Sequence, residues 1–433
     1  MAEAEYDAIV IGAGFSGLVA ARDLSEQGHT VLVLEGRDRL GGRTWYRNFS
    51  DTAKQVEMGG GWVSTRWMPT VELEAERYGV EFVDQTDSQH FVWATGGEKR
   101  AFSPIPPHEF GAATHAIHAI HEAMKLVPRG MVAEGEDYSA LDVPVSEWPP
   151  FVELPLATKE FVHMWAAMYS GSSEDDVSLL HFLTMFGQFG DDIAGLHFGL
   201  AQRFAHGTKS LVDRIAGSID GEIRLATPVR RIAQREDGSV TVETDDGSVS
   251  AQRVVCTVPI NSLHRIEFSP ELPPLAAGKV AKGTNSKSIK LWAQCRNVPN
   301  GFLGMGWKQG IEWTCGIYEL EDGTTLLCNF AFDREQIDPT SRESVEKALR
   351  NFIPDVDVVA IDSHDWIGDE FADGTSMIID PGWVSSGEYK AFAKPHGSVY
   401  FAGADHSMVW TGWIAGAIAS GATVAEQVSA SLT

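Results

Sequence analysis

The chain opens on an apolar run, Tyr6–Ile11, which passes through Gly12-Ala13-Gly14-Phe15-Ser16-Gly17 into a stretch of helical spacing that ends near Gly28. A second apolar run, Thr30–Leu34, follows. A strand, a helix and a strand in that order predict a βαβ unit with parallel strands, because the helix carries the chain back to the starting edge. Between about Pro104 and Leu200 the apolar positions recur at helical spacing, broken at Pro104–Pro107 and Pro149–Pro150. From Gly221 the period shortens to two. There Ser239–Thr244 and Gly247–Val255, separated by an Asp-Asp-Gly turn, predict a hairpin. Strand-like Ser288–Gln294 and Thr324–Phe332 and a helical Arg342–Phe352 come next. The chain closes on a strand, Ser398–Ala402, and a helix rich in small residues, Gly412–Ser429.

No repeat or low-complexity linker divides these segments, yet 433 residues exceed one ordinary core. The nucleotide-binding signals lie at both ends of the chain and in its middle, so two interleaved domains are expected. The fold class is α/β: a Rossmann-like nucleotide-binding domain over residues 1–80, 201–262 and 396–433, with a discontinuous α+β substrate domain over 81–200 and 263–395. Hydrophobic residues at 43% and charged residues at 22% suit a globular protein. The excess of 60 acidic over 34 basic side chains, a net charge of −26, disfavours nucleic acid and anionic lipid as partners. Four cysteines without a CxxC pair, an N-terminus that enters a strand at once and no apolar run of membrane-spanning length point to the cytoplasm.

A GxGxxG motif alone is a weak signal, but here Gly12, Gly14 and Gly17 sit between a strand and a helix. The first glycine permits a tight turn, and the second lets backbone approach a pyrophosphate beside Phe15 and Ser16. The third packs the helix, whose N-terminus faces the phosphates. Glu35, followed by Gly36 and Arg37, ends the second strand where a carboxylate can hold a ribose diol. NAD and FAD both use this fingerprint. The later runs bear on the choice: Arg39-Leu40-Gly41-Gly42-Arg43-Thr44, then Gly59-Gly60-Gly61-Trp62, and near the end Gly403-Ala404-Asp405 and Trp413-Ile414.

With these motifs the chain resembles the flavin monoamine oxidase family along its whole length. Gly14–Leu18, Ala20–Leu24 and Ile361–Ile367 are more similar to the bacterial hydroxynicotine oxidase branch than to the mammalian monoamine oxidases. The resemblance implies FAD in a domain of the p-hydroxybenzoate hydroxylase type. It places Glu35 on the adenosine ribose, Gly42 and Arg43 at the pyrophosphate, and the backbone of Val229 at the adenine. Asp405 then falls at ribityl or pyrophosphate oxygens, and the helix starting near Trp413 and Ile414 aims its N-terminus at the flavin.

The same resemblance implies oxidation of a small, partly apolar amine, N-heterocyclic or N-methylated among the options, by hydride transfer to flavin N5, with dioxygen as acceptor. It makes Lys290 the lysine near the flavin, with Lys287 as the competing choice. Trp383 and Trp413 fall at the two ring positions flanking the amine, with Trp313 and Met168 as further substrate-side residues. Met168 stands where the hydroxynicotine branch has a polar residue. Gly382 stands where covalent members carry cysteine, which implies non-covalent FAD. Trp165, Tyr169, Phe182 and Phe186 lie on the same helical stretches and read as core before contact. His115, His118 and His121 recur every third residue, but no carboxylate or cysteine completes a set, so no metal is expected.

Two other classes stay open on sequence alone: a desaturase or redox-neutral isomerase on the same fold, and a non-enzymatic binding protein of the GDP-dissociation-inhibitor type. Loss of flavin colour under anaerobic amine separates the first from an amine oxidase, and a colourless protein would mark the second. A homodimer also stays open.

Overall fold

The computed structural model describes residues 4–50, 52–85, 88–127, 132, 135–190, 195, 199 and 201–433. Parts of the helical stretch expected up to Leu200, and the first three residues, lie outside the described residues.

The first layer is a sheet whose strands run, from one edge, Gly221–Arg224, Val31–Leu34, Tyr6–Ile11, Gly247–Cys256, Val240–Thr244, Val229–Gln234 and Glu267–Ser269. Val399–Phe401 also pairs with Gly247–Cys256. The opening βαβ unit is present as expected, with Ala8 opposite Val31 in parallel register. Such a parallel centre is covered on both faces, which is why its strands are continuously apolar rather than alternating. Val31–Leu34 is buried at every position. The hairpin is present too, with Thr244 opposite Gly247. A strand at Glu267–Ser269 adds an edge that the period-two reading did not mark.

Helix Phe15–Glu26 follows the first strand and is buried along most of its length. The C-terminal helix Ile414–Leu432 packs on it. Gly421 makes this possible: a Cβ there would stand 2.3 Å from the Ser16 carbonyl oxygen.

A second sheet of seven strands runs Asp357–Ser363, Ile289–Arg296, Thr325–Ala331, Trp313–Glu319, Phe302–Gly306, His90–Thr95 and Glu98–Arg100. Helix Leu156–Ser170 packs on it, Leu179–Gln188 packs on that helix, and Phe110–Met124 packs on Leu179–Gln188 in turn. Leu179–Gln188 is buried at all ten positions and is capped by Ser178 Oγ, which accepts from the Leu180 N–H at 3.1 Å. Among the described residues no helix is long and apolar enough to cross a membrane.

Candidate active site

One continuous cavity of about 680 Å³ runs between the two sheets. At one end it is lined by Gly12, Gly14, Phe15 and Ser16 of the first turn and by Glu35, Gly36 and Arg37 after the second strand. Gly12 has φ +103°, and a Cβ there would stand 2.5 Å from Thr257 Oγ1. Only glycine meets both demands. Gly17 does not line the cavity. A Cβ there would stand 1.9 Å from the Gly12 carbonyl oxygen, so its role is to let the helix close on the turn. That helix starts at Gly14 with no side-chain cap and no acidic residue in its first turn. Its free N–H groups and dipole are left for an anion.

Glu35 is 4% exposed. One carboxylate oxygen accepts from the Ala13 N–H at 2.7 Å and the other from the Arg37 N–H at 2.9 Å. An ionised carboxylate has about four acceptor positions, so roughly two remain for a diol. The Thr227 N–H donates to the Glu35 carbonyl and the Ala226 N–H to that of Arg37. These bonds bring the Pro228-Val229-Arg230 run to the same end of the cavity. Turn, uncapped helix, carboxylate and Val229 together fit the adenosine and pyrophosphate of a dinucleotide.

Gly42, Arg43, Gly59, Gly60, Gly61, Trp62, Gly403, Trp413 and Ile414 line the cavity further along. Trp413 is the N-cap of the C-terminal helix, again without a side-chain cap or an early acidic residue. Asp405 requires a correction. It does not line the cavity. Its carboxylate is taken by the Arg43 guanidinium and by the Ile260 N–H at 3.0 Å. Burial alone would raise its pKa, but the Arg43 charge and hydrogen bond, with the Ile260 N–H, hold it below the usual carboxylate range. Asp405 therefore orients Arg43, whose other nitrogen donates to the Thr375 carbonyl at 3.3 Å.

At the far end the wall is aromatic. Trp62 meets Trp313 edge-on at 5.8 Å between ring centres, and Trp313 lies 5.6 Å from Phe330. Tyr169 stacks on Trp165 at 5.8 Å and lies 6.3 Å from Trp413. Met168, Trp313 and Trp413 all line this part, and Trp165 and Tyr169 join them. Phe182 and Phe186 do not; they are buried in the helical layer behind Trp165.

Lys290 lies on strand Ile289–Arg296, is 5% exposed and lines the cavity, whereas Lys287 is exposed outside it. The Lys290 ammonium donates to the Gly59 carbonyl at 2.7 Å and sits 4.6 Å from the Trp62 ring centre. Burial lowers its pKa from the ordinary lysine value, against the opposing influence of Cys328 and Glu57. Glu57 is half-buried with its carboxylate turned inward, and desolvation pushes its pKa up, although the Lys290 charge and donors from Thr208 and Trp45 oppose the rise.

Trp383 is the second correction. It does not line the cavity. Its indole is 3% exposed, 5.2 Å from Lys279 Nζ and edge-on to Tyr389. Thr375, Ser376 and Met377 line the cavity instead, held by the Arg43 bond to the Thr375 carbonyl. Gly382, on which the non-covalent expectation rests, also lies outside the cavity lining. Missed residues with a legible signal include Ser288, two positions before Lys290 and therefore on the same side of an extended chain. Thr375–Met377 had no such signal.

Of the expected histidine triplet, His115 and His118 are exposed and His121 is half-buried. Among the described residues no group of three His, Cys, Asp or Glu side chains is placed to hold a metal ion.

The fold and this cavity define a dinucleotide-binding oxidoreductase. The chain belongs to the flavin containing amine oxidoreductase family, whose model matches residues 15–429. It is 33% identical over 418 residues to (S)-6-hydroxynicotine oxidase of Paenarthrobacter nicotinovorans, covering 95% of this chain and 97% of that one. It is 30% identical to pseudooxynicotine dehydrogenase of a Pseudomonas species, covering 99% and 87%. In fold it is similar to wild-type putrescine oxidase bound to putrescine, with a TM-score of 0.86 at 21% identity over 98% of this chain and 99% of that one. The enzyme is thus an FAD-dependent oxidoreductase that oxidises amines.

Proposed function

We propose that the substrate is a small monoamine with an apolar body, bound in its neutral form between Trp413, Tyr169 and the Trp62–Trp313 wall. One observation carries this reading. Among the described residues, Lys290 is the sole charged side chain at the aromatic end of the cavity. The other charged lining residues, such as Glu35, Arg37, Arg230 and Arg265, gather at the adenosine end or, like Arg43, adjoin the glycine turns. An ammonium, or the second cation of a diamine, would meet no carboxylate there. Burial penalises a charge far more than a neutral polar group, so the site favours the neutral amine and lowers its pKa. Met168 fits an apolar portion of the substrate.

When bound, FAD supplies the two-electron acceptor for amine oxidation. Glu35, the uncapped helix at Gly14 and Arg43 hold it, and Asp405 acts through Arg43. We take the attachment to be non-covalent, because no cysteine is among the described lining residues. Lys290 keeps donors beyond the one given to Gly59, and these can hold a water or the substrate against the reacting face. The aromatic wall excludes bulk water. Dioxygen is the acceptor we propose for regeneration, in line with the relative named as an oxidase. A reducing, cytoplasmic setting fits four free, buried cysteines.

The test is an anaerobic panel of apolar monoamines, diamines and amino acids, read by loss of flavin absorbance at ~450 nm. Bleaching by apolar monoamines well ahead of the others is expected. Equal or faster bleaching by diamines would refute the reading. Oxygen uptake during turnover with the best amine checks the acceptor.

A further inference from the structure

The cavity wall beside Lys290 carries a file of hydroxyls with no part in the chemistry so far. Ser288 Oγ donates to Thr375 Oγ1 at 3.1 Å. Thr375 Oγ1 lies 2.8 Å from Ser286 Oγ, which lies 2.9 Å from Ser376 Oγ, and Ser376 Oγ donates to the Ser170 carbonyl at 3.4 Å. Ser286 Oγ also reaches that carbonyl, at 3.3 Å, and the Ser376 N–H donates to Ser286 Oγ at 3.2 Å. Each hydroxyl has one proton and two lone pairs. If Thr375 donates to Ser286, the Ser376 N–H fills the second Ser286 lone pair. The Ser286 proton then goes to Ser376 or straight to the Ser170 carbonyl, and every proton has an acceptor. If Ser286 donated to Thr375 instead, the Thr375 proton would have no acceptor among the described residues. With protein acceptors alone the file closes in one direction, from Ser288 through Thr375 and Ser286 to the Ser170 carbonyl.

Ser286 is fully buried, while Ser288, Thr375, Ser376 and Ser170 line the cavity. At the head of the file, Ser288 Oγ has directed its proton inward, and no described group donates to it. Both its lone pairs remain available at the cavity surface. Hydrogen bonds that run in one direction polarise one another, which makes this oxygen a better acceptor than an isolated hydroxyl. Lys290, on the same wall, offers only donors. The wall thus presents a donor and an oriented acceptor two residues apart.

We propose that Ser288 Oγ accepts the N–H of the substrate amine, so that the site selects primary and secondary amines over fully N-alkylated ones. This rests on the amine-oxidising reading of the cavity. An N–H held by Ser288 fixes the nitrogen and turns its lone pair away from the hydroxyl, where it is free to assist loss of the α hydrogen. A neutral tertiary amine has no N–H to give, and its alkyl group would instead displace whatever solvent meets Ser288.

Benzylamine, N-methylbenzylamine and N,N-dimethylbenzylamine share one body and carry two, one and no N–H groups when neutral. Their dissociation constants, referred to the neutral amine, can be read from perturbation of the flavin spectrum and from saturation of anaerobic reduction. The wild type should bind the first two about tenfold more tightly than the third. Ser288→Ala should remove about that tenfold preference while leaving the tertiary amine's affinity unchanged. Thr375→Val, which cuts the file behind Ser288, should give the same pattern to a smaller degree. Equal losses for all three amines, or no selectivity in the wild type, would overturn the proposal while leaving the amine-oxidising reading intact. If none of the three perturbs the wild-type flavin, the reading of the cavity fails and the proposal fails with it.

Discussion

Replacing Glu35 with alanine should separate a structural role from a cofactor-binding one, because the carboxylate does two things. It accepts from two backbone donors on different oxygens, the buried Ala13 N–H and the part-buried Arg37 N–H. It also keeps lone pairs toward the cavity for the ribose. Leaving a buried donor unpaired costs about 1–3 kcal/mol, so two would cost roughly 2–6 kcal/mol. Since the gap opens onto the cavity, water can enter and bond both groups, and the apo-protein should lose an amount near the lower end, about 2 kcal/mol. The charge-assisted ribose bond is worth about 1.5–3 kcal/mol, so the Kd for FAD should rise roughly 10- to 150-fold. Glu35→Gln sharpens the test. An amide has one acceptor oxygen, and its nitrogen would point at one of the two donors, so stability should suffer even though volume is kept. Urea unfolding of the apo-protein gives the first quantity, and flavin fluorescence on dilution of the holoenzyme gives the second. An alanine variant with lower apo-stability but an FAD Kd within about twofold of wild type would refute the ribose contact and reduce Glu35 to a staple of the first turn.

Acid precipitation of the holoenzyme should leave yellow flavin in the supernatant, since no described lining residue is a cysteine; flavin pelleting with the protein would contradict this. Trp413→Ala should admit water to the aromatic end, slow anaerobic flavin reduction and move its apparent pKa toward that of the free amine. An unchanged stopped-flow pH profile would remove Trp413 from the substrate wall. Burial lowers the folded-state pKa of Lys290, so its protonated form opposes folding below that value and the penalty fades as pH rises toward the unfolded pKa. Lys290→Met should therefore be most favourable to stability, relative to wild type, at neutral pH and less so near about pH 10, measured by urea unfolding. Glu312 is pushed by burial from 4.5 up to about 7, so its neutral form supports folding at low pH and that support is lost as pH rises through about 7. Glu312→Gln should be close to neutral near about pH 4.5 and stabilise by on the order of 2–3 kcal/mol above about pH 8. A pH-independent difference would show that Glu312 is charged throughout.

Legibility followed regularity. The opening strand, turn and helix could be read because glycine spacing and apolar runs are local signals, and Gly12, Gly14 and Glu35 stand at the cavity for the reasons those signals give. Lys290 could be separated from Lys287 only by tertiary packing, since both lie near one strand entrance. Trp383 is misplaced by the sequence because the irregular stretch between Ser363 and Val399 has no repeating period to betray a slipped register. What draws Thr375–Met377 to the cavity is a bond from Arg43, more than three hundred residues earlier, and no local pattern encodes it. Asp405 failed differently. A carboxylate near a pyrophosphate site invites a direct role, but the neighbouring guanidinium satisfies it first.

The order of strands in the large sheet has a consequence for biosynthesis. Tyr6–Ile11 leaves the ribosome well before Gly247–Cys256, which is one of its two neighbours, with Ala8 opposite Arg253. At typical rates of translation, the interval between the two is roughly 10–50 s. Throughout it, a largely apolar strand has an open edge, the arrangement most prone to pairing with a stray chain. The C-terminal helix that closes over Ser16 is made later still. The cavity lining includes Trp413, Ile414 and Ala417, so FAD can meet its complete cradle only after that helix has been made.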